Sequence, residues 1–202
     1  MSAAASRALV RVAKDVQALR TWATENGTTI EIDGGRDDIT ALPARIYVTL
    51  HGPKDSLYDG GLYRIQCNLS EEYPMRPPAL AFLTPIWHPN IEATCGSVCL
   101  DILKARWMPF IRLHDLFGTY LTQLLQYPEP DDPFNSQAAA MMLDVEGYNA
   151  YTKLHTLKHA VPGEHQAAVV LPVIVRCSSR SAAGQAAAAT ASTTAGVSWS
   201  GR

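Results

Sequence analysis

Alternating apolar and polar residues in the first half of the chain predict antiparallel strands. From residue 44 to 51, Ala, Ile, Val and Leu alternate with Arg, Tyr, Thr and His, the period of a strand with one buried face. The alternation resumes at residues 63–69 after a Tyr-Asp-Gly-Gly turn, so these two segments predict a hairpin. Cys67 falls on its apolar face, where cysteine behaves as a small hydrophobe. Residues 79–83 add another short strand, which makes an antiparallel meander.

Apolar residues at helical spacing predict helices on both sides of this meander. Leu, Val and Ala recur between residues 9 and 23, with Ser6 as the expected cap of an N-terminal helix. The clearest stripe, at 113–125, predicts a central buried helix. Two further helices are expected, one capped by Asn135 and one over residues 145–158. Together with about four strands, these elements indicate an α+β fold.

Composition favours one folded domain followed by a tail. A chain of 202 residues with 47% hydrophobic residues can bury one sizeable core. We assign residues 1–160 to that domain. Residues 161–202 are rich in Ala, Ser and Thr and offer little to pack, so they are expected to be a largely disordered tail. The apolar stretch 169–175 is an exception and could dock on the domain.

Charge and cysteine content exclude several classes of protein. The formal net charge of -2 lacks the polycationic signature of nucleic-acid or membrane-surface binding. No apolar run reaches the roughly 18 residues of a membrane span, and no secretory signal is seen, so we expect a cytoplasmic or nuclear protein. Its cysteines are then expected to be reduced thiols, and a metal site is not expected. The four are Cys67, Cys95, Cys99 and Cys177.

A long aperiodic segment at residues 84–110 is where the chemistry is expected. It contains two tryptophans, a histidine, an asparagine and two cysteines between the third predicted strand and the central helix. Loops of this length inside a compact domain are usually functional or disordered, and the apolar and aromatic content argues against disorder. The sequence therefore predicts a structured loop that carries the site.

Several motifs follow one another in order across residues 7–160. They are His88-Pro89-Asn90, Gly96-Ser97-Val98-Cys99-Leu100-Asp101, Trp107 eight residues after Cys99, and Pro128-Glu129-Pro130-Asp131-Asp132-Pro133. Together these motifs resemble the catalytic core of ubiquitin-conjugating enzymes. The resemblance implies the fold of that family, and it is greatest to the H-type subclass, although the acidic C-terminal extension usual there is absent from this neutral tail.

The resemblance implies catalytic roles for three residues. Cys99 would carry the modifier as a thioester, whereas residue type alone would favour a buried core thiol. Asn90 would donate to the oxyanion or, alternatively, brace the loop. Asp132 would orient or deprotonate the incoming lysine or, alternatively, cap a turn. Five further residues are expected to line the cleft or to be structural: His88, Pro89, Leu100, Asp101 and Trp107.

The resemblance also implies partners and alternatives. Ubiquitin, an activating enzyme, a RING-type ligase and lysine-bearing substrates are expected, with no bound cofactor because the activating enzyme uses the ATP. A non-catalytic ubiquitin-binding variant, or an enzyme for SUMO or NEDD8, remains open. The residues expected to contact the ligase or the activating enzyme are Arg7, Arg11, Lys14, Met75, Pro109 and Phe110.

Overall fold

The computed structural model of the chain describes residues 3–98 and 107–162. Three predicted site residues, Cys99, Leu100 and Asp101, lie outside the described residues, as does the tail beyond residue 162. None of the helices in the described ranges is long and apolar enough to cross a membrane.

The described chain contains four helical segments and four strands, with one helix before the strands and three after them. The long helix α2 covers residues 113–126 and is α-helical at Leu113–Asp115, π-helical at Leu116–Leu121 and α-helical again at Thr122–Gln126. The remaining elements are α1 (Ala3–Glu25), β1 (Thr29–Ile32), β2 (Ala44–His51), β3 (Leu62–Leu69), β4 (Ala79–Phe82), α3 (Ser136–Met141) and α4 (Val145–His159).

The strands form one antiparallel sheet in the order β1-β2-β3-β4. The register places Ile46 opposite Cys67, and both side chains are fully buried, as the alternating pattern predicted. The sequence pattern did not locate β1, because only Ile32 of its four residues is buried and the alternation is too short to detect. The α+β prediction is confirmed.

The core lies between the sheet and the helices α1 and α2. Val12, Val16 and Leu19 of α1 are buried at helical spacing, as are Leu113 and Phe117 of α2. Burying each such side chain contributes about 1.5–3 kcal/mol. The π-helical segment meets α1 at Gly118, where an added Cβ would lie 3.0 Å from the indole nitrogen of Trp22. Glycine therefore allows the two helices to approach closely.

Helix caps agree with the sequence at one site and differ at another. The side chain of Asn135 accepts a hydrogen bond from the Ala138 amide at 3.1 Å, which confirms it as the cap of α3. The prediction of Ser6 as the cap of α1 is wrong, because the helix already includes Ala3. Apolar spacing located the buried part of the helix, but the first turn extends beyond it.

A buried carboxylate joins α1 to the segments around it. Asp15 is fully buried and accepts from Arg11 Nε at 2.6 Å and from the Tyr73 hydroxyl at 2.5 Å. Arg11 also donates to the Ile111 carbonyl at 2.8 Å, just before α2. Its guanidinium thus joins α1 to the segment before α2, and the predicted role of Arg11 as a partner contact stays a prediction. Burial and the neighbouring Asp15 raise the pKa of Tyr73, so the hydroxyl remains a donor.

Replacing Tyr73 with Phe should lower the free energy of unfolding by about 1.5–3 kcal/mol, the usual contribution of a hydrogen bond to a charged group. Urea denaturation followed by fluorescence would measure the change. Tyr127→Phe is the matched control, because Tyr127 is 74% exposed, and it should leave stability unchanged. Equal stabilities for the two variants would contradict the role of this hydrogen bond.

Candidate active site

A fully buried histidine anchors the candidate site to the end of α2. His88 Nε2 donates to the Leu124 carbonyl at 3.0 Å, and Nδ1 accepts from the Asn90 amide at 3.0 Å. Burial lowers the pKa of His88 to about 4. The ring is therefore neutral near neutral pH with both nitrogens bonded, so His88 has neither the charge state nor a free nitrogen for acid–base catalysis. Its predicted structural character agrees with this geometry.

The side chain of Asn90 holds the loop between α2 and α3. Its Nδ2 donates to the Glu129 carbonyl at 2.6 Å and to the Asp132 carbonyl at 3.4 Å, while Oδ1 accepts from the Glu129 amide at 2.8 Å. The neighbouring Pro89 carbonyl accepts from the amides of Phe134 and Asn135 at 2.9 and 2.8 Å. Buried segment 88–90 and the largely exposed loop 127–135 thus form one hydrogen-bonded assembly, which we call the clamp.

The clamp brings together two of the predicted catalytic residues. Asn90 is fully buried, whereas the side chain of Asp132 is exposed at the surface of the same loop. The bonds of Asn90 correspond to the loop brace, one of the two interpretations the sequence left open. The 3.4 Å bond to the Asp132 carbonyl is the longest of its side-chain bonds and the weakest.

A tight turn leads the chain from the clamp to the position before Cys99. Glu92 Oε2 accepts from the amides of Thr94 and Cys95 at 2.8 and 2.5 Å. Gly96 has φ +68°, and an added Cβ would lie 1.9 Å from the Phe82 carbonyl oxygen. Only glycine fits this close approach to β4. Sequence reasoning missed both roles.

Pairing on both sides of the turn holds the residue before the predicted nucleophile. Ile91 and Val98 form an antiparallel bridge, and the Val98 amide donates to the Leu80 carbonyl of β4 at 3.0 Å. Both side chains are buried, Ile91 completely and Val98 to within 1%. The backbone of Val98, directly before Cys99, is therefore fixed to the sheet. It is also paired with Ile91, the residue that follows Asn90.

Comparison with known proteins identifies the family. The sequence profile described as "Ubiquitin-conjugating enzyme" matches residues 11–156. The chain belongs to the ubiquitin-conjugating enzyme family. It is 41% identical over 135 residues to ubiquitin-conjugating enzyme E2 6 of Arabidopsis thaliana, covering 66% of this chain and 72% of that protein.

Two further relatives support this membership. Ubiquitin-conjugating enzyme E2 5 of Arabidopsis thaliana is 44% identical over 117 residues, which cover 57% of this chain and 63% of that protein. The solved E2 domain of a Toxoplasma gondii ubiquitin-conjugating enzyme superposes with a TM-score of 0.63 at 30% identity and covers 75% of this chain and 97% of that one. The predicted family, fold class and enzyme class are confirmed.

Trp107 links the chain beyond the site to the proline-rich loop at residues 74–78. Its indole nitrogen donates to the Pro74 carbonyl at 2.8 Å, and its ring centroid lies 6.0 Å from that of Tyr73. This contact places Met75 and Phe110, which are 74% and 71% exposed, on neighbouring surface segments together with exposed Pro109. Their predicted contact with a ligase stays a prediction, as does that of Arg7 and Lys14, which are exposed on α1.

The cysteines differ from the prediction at one position. Cys67 is a free and fully buried thiol, as expected. Burial raises its pKa to about 12, so it is a poor nucleophile. Cys95 is disulfide-bonded. The prediction that every cysteine is a reduced thiol is therefore wrong for Cys95, because sequence context indicated only the compartment and not which sulfurs lie close together.

Metal coordination was not expected from the sequence. Within residues 3–98 and 107–162, no group of three or more His, Cys, Asp or Glu side chains is arranged to hold a metal ion.

The buried neutral histidine should make stability depend on pH. An unfolded histidine takes up a proton below about pH 6.5, whereas folded His88 stays neutral to about pH 4. Stability should therefore fall as the pH decreases through this window, by about 3 kcal/mol at full effect. Urea denaturation at a series of pH values would measure the fall. His88→Gln can keep the bonds but cannot titrate, so an identical pH dependence in that variant would refute the assignment.

Proposed function

We propose that this chain accepts ubiquitin from the ubiquitin-activating enzyme as a thioester on Cys99 and passes it to a lysine of a protein substrate, with a RING-type ligase. The observation that carries the proposal is the clamp. It holds Asn90 and the loop of Asp132 beside the paired strand segment that runs directly into Cys99. The family membership supplies the class of reaction.

Two acyl transfers make up the proposed reaction. In loading, the Cys99 thiolate attacks the carbonyl carbon of the thioester on the activating enzyme, and that enzyme's thiolate leaves. In discharge, the uncharged lysine amine attacks the new thioester, the bond from carbon to Cys99 sulfur breaks, and the amine loses a proton as the amide bond forms. The protein binds no cofactor in this scheme, because ATP is used only by the activating enzyme.

The described part of the site suits a carrier that must resist hydrolysis. A thioester waiting for an amine is destroyed if a nearby base activates water. His88 is the imidazole closest in sequence to Asn90, and it is neutral, buried and bonded at both nitrogens. It therefore supports the loop without activating water.

Asn90 has a dual role in this proposal. In the resting protein its amide braces Glu129 and Asp132, and the short bond to Glu129 is retained throughout. The weak 3.4 Å bond to the Asp132 carbonyl is exchanged for one to the oxyanion when the amine attacks. One such donor contributes about 2.7–4 kcal/mol to transition-state stabilisation in other enzymes.

Asp132 is the proposed contact for the incoming lysine. Its carboxylate is exposed, while its backbone is tied to the buried Asn90, so the charge is held at the edge of the site without being buried. A carboxylate there orients the lysine side chain and accepts the proton that the attacking, uncharged amine loses as the amide bond forms. We also propose a cytoplasmic or nuclear location, where the activating enzyme is present.

Cys99→Ser should abolish the reductant-sensitive adduct with ubiquitin. A serine hydroxyl is far less ionised than a thiol near neutral pH, so at most a slowly formed oxyester should appear. The protein is first reduced, because Cys95 is disulfide-bonded, and the reductant is then removed. It is next incubated with activating enzyme, ATP and ubiquitin and analysed by non-reducing electrophoresis.

Cys95→Ser and Cys67→Ser are the matched controls, and both should still charge. A labile adduct that persists in Cys99→Ser but is lost in Cys95→Ser would reject the assignment. Parallel reactions with SUMO or NEDD8 and their own activating enzymes separate the modifiers. Charging by none of them would favour a non-catalytic member of the family.

Asp132→Ala should slow discharge to lysine more than it slows loading of Cys99. The defect should shrink as the pH rises towards the lysine pKa of about 10.4, because more amine is then uncharged without assistance. Single-turnover loading and lysine discharge, each measured across pH, test this expectation. Asp131→Ala is the control in the same exposed loop. A defect that is equal in both steps at every pH would indicate a structural role.

A further inference from the structure

A half-open cleft lies beside the clamp. It has a volume of about 420 Å³ and runs between the turn that joins β2 and β3, the end of α2 and the start of α4. We call it the side cleft, and its lining includes Ser56, Tyr58, Tyr127, Pro128, Val145 and Tyr148.

The floor of the side cleft is rigid and neutral. Tyr58 and Tyr148 are almost completely buried, and their hydroxyl oxygens lie 3.5 Å apart. Tyr58 also donates to the Trp87 carbonyl at 2.9 Å, one residue before His88. Burial raises the pKa of both tyrosines, so both remain uncharged phenols. The floor therefore suits an apolar or aromatic side chain.

The rim of the side cleft combines exposed apolar residues with acidic ones. Tyr127 and Val145 are 74% and 63% exposed although both line the cleft. Asp55 is the charged residue of the described lining, and none of the described lining residues is basic. Exposed apolar surface beside polar groups is typical of interaction sites.

Further acidic residues surround this lining. Three carboxylates directly adjoin lining residues in the chain: Glu129 follows Pro128, and Asp144 and Glu146 flank Val145. Lys54, next to Asp55 in the chain, carries a positive charge that offsets one of these carboxylates. The excess of negative charge complements a basic partner.

Loop 127–135 of the clamp forms one wall of the side cleft. Pro128 lines the cleft, and the next residue, Glu129, is the one that Asn90 holds through both its amide and its carbonyl. Asp132 lies three residues further along the same loop. A chain that occupies the cleft and continues along this wall is thereby led towards the residue proposed to receive the acceptor lysine.

We propose that the side cleft selects protein substrates, by binding an apolar side chain and an adjacent Lys or Arg of the substrate segment that carries the acceptor lysine. The inference rests on the proposed function, since it assigns a substrate class to the same site. The apolar side chain packs on Tyr58 and Tyr148, and the cation faces Asp55 and the neighbouring carboxylates.

The test compares acceptors on protein already loaded with ubiquitin. After the activating enzyme is stopped with EDTA, the thioester is chased with free lysine or with one of two short peptides. Both peptides contain one leucine and one lysine, and the flanking residues are arginines in one and glutamates in the other. We expect the arginine peptide to discharge the thioester about fivefold faster at equal low concentration.

Variants of the rim should remove this preference without changing discharge to free lysine. Asp55→Asn removes the charge and suits the backbone, because Asp55 has φ +59° and asparagine also tolerates the left-handed region. Val145→Lys places a like charge against the basic peptide. Leu154→Lys is the matched control, since Leu154 lies on the same helix and is 64% exposed, close to the 63% of Val145, but does not line the cleft.

Each outcome separates this inference from the proposed function. Loss of the peptide preference in Asp55→Asn and Val145→Lys, but not in Leu154→Lys, supports it. Normal loading and normal discharge to lysine with equal rates for both peptides would overturn the inference and leave the proposed function intact. A preference that appears only after residues 163–202 are removed would also overturn it, because the protein's own tail would then be the occupant. Failure to load ubiquitin at all rejects the proposed function itself.

Discussion

The clamp is the interaction on which the rest of the site depends, and its centre is the buried segment of His88, Pro89 and Asn90. This segment bonds to the end of α2 and to the loop before α3, which has no helix or strand of its own. Leaving a buried donor or acceptor unpaired costs about 1–3 kcal/mol. The hydrogen bonds of these three residues therefore strongly favour one arrangement of the loop. The positions of Asp132 and of the side-cleft wall follow from that arrangement.

Stability and chemistry constrain each other at this clamp. A histidine that is buried and neutral stabilises the loop, and for the same reason it cannot act as a base beside a thioester. In the proposed mechanism, Asn90 also exchanges its weak bond to the Asp132 carbonyl for one to the developing oxyanion. The proposed catalyst thus acts by positioning and by excluding an efficient base, and the reactive sulfur itself supplies the nucleophile.

The periodicity of the sequence predicted some elements of this fold and missed others. Strands with one buried face, such as β2 and β3, and the amphipathic helices were predicted because their periodicity is local. Strand β1 was not located, since its short segment buries one residue. The bond from Arg11 to the Ile111 carbonyl and the close approach of Gly96 to Phe82 also escaped prediction, because each depends on a segment brought close by folding. The subclass resemblance and the tail remain predictions.

The sequence by itself determined the family, the α+β fold and the residue types of the candidate site, because ordered motifs and hydrophobic periodicity are written along the chain. The tertiary structure alone decided that Asn90 braces Glu129, 39 positions away, and that Arg11 reaches the Ile111 carbonyl, 100 positions away. It also decided that two tyrosines 90 positions apart form the floor of a cleft. The reason is that burial and hydrogen-bond pairing depend on distances in space, which packing of the whole core sets.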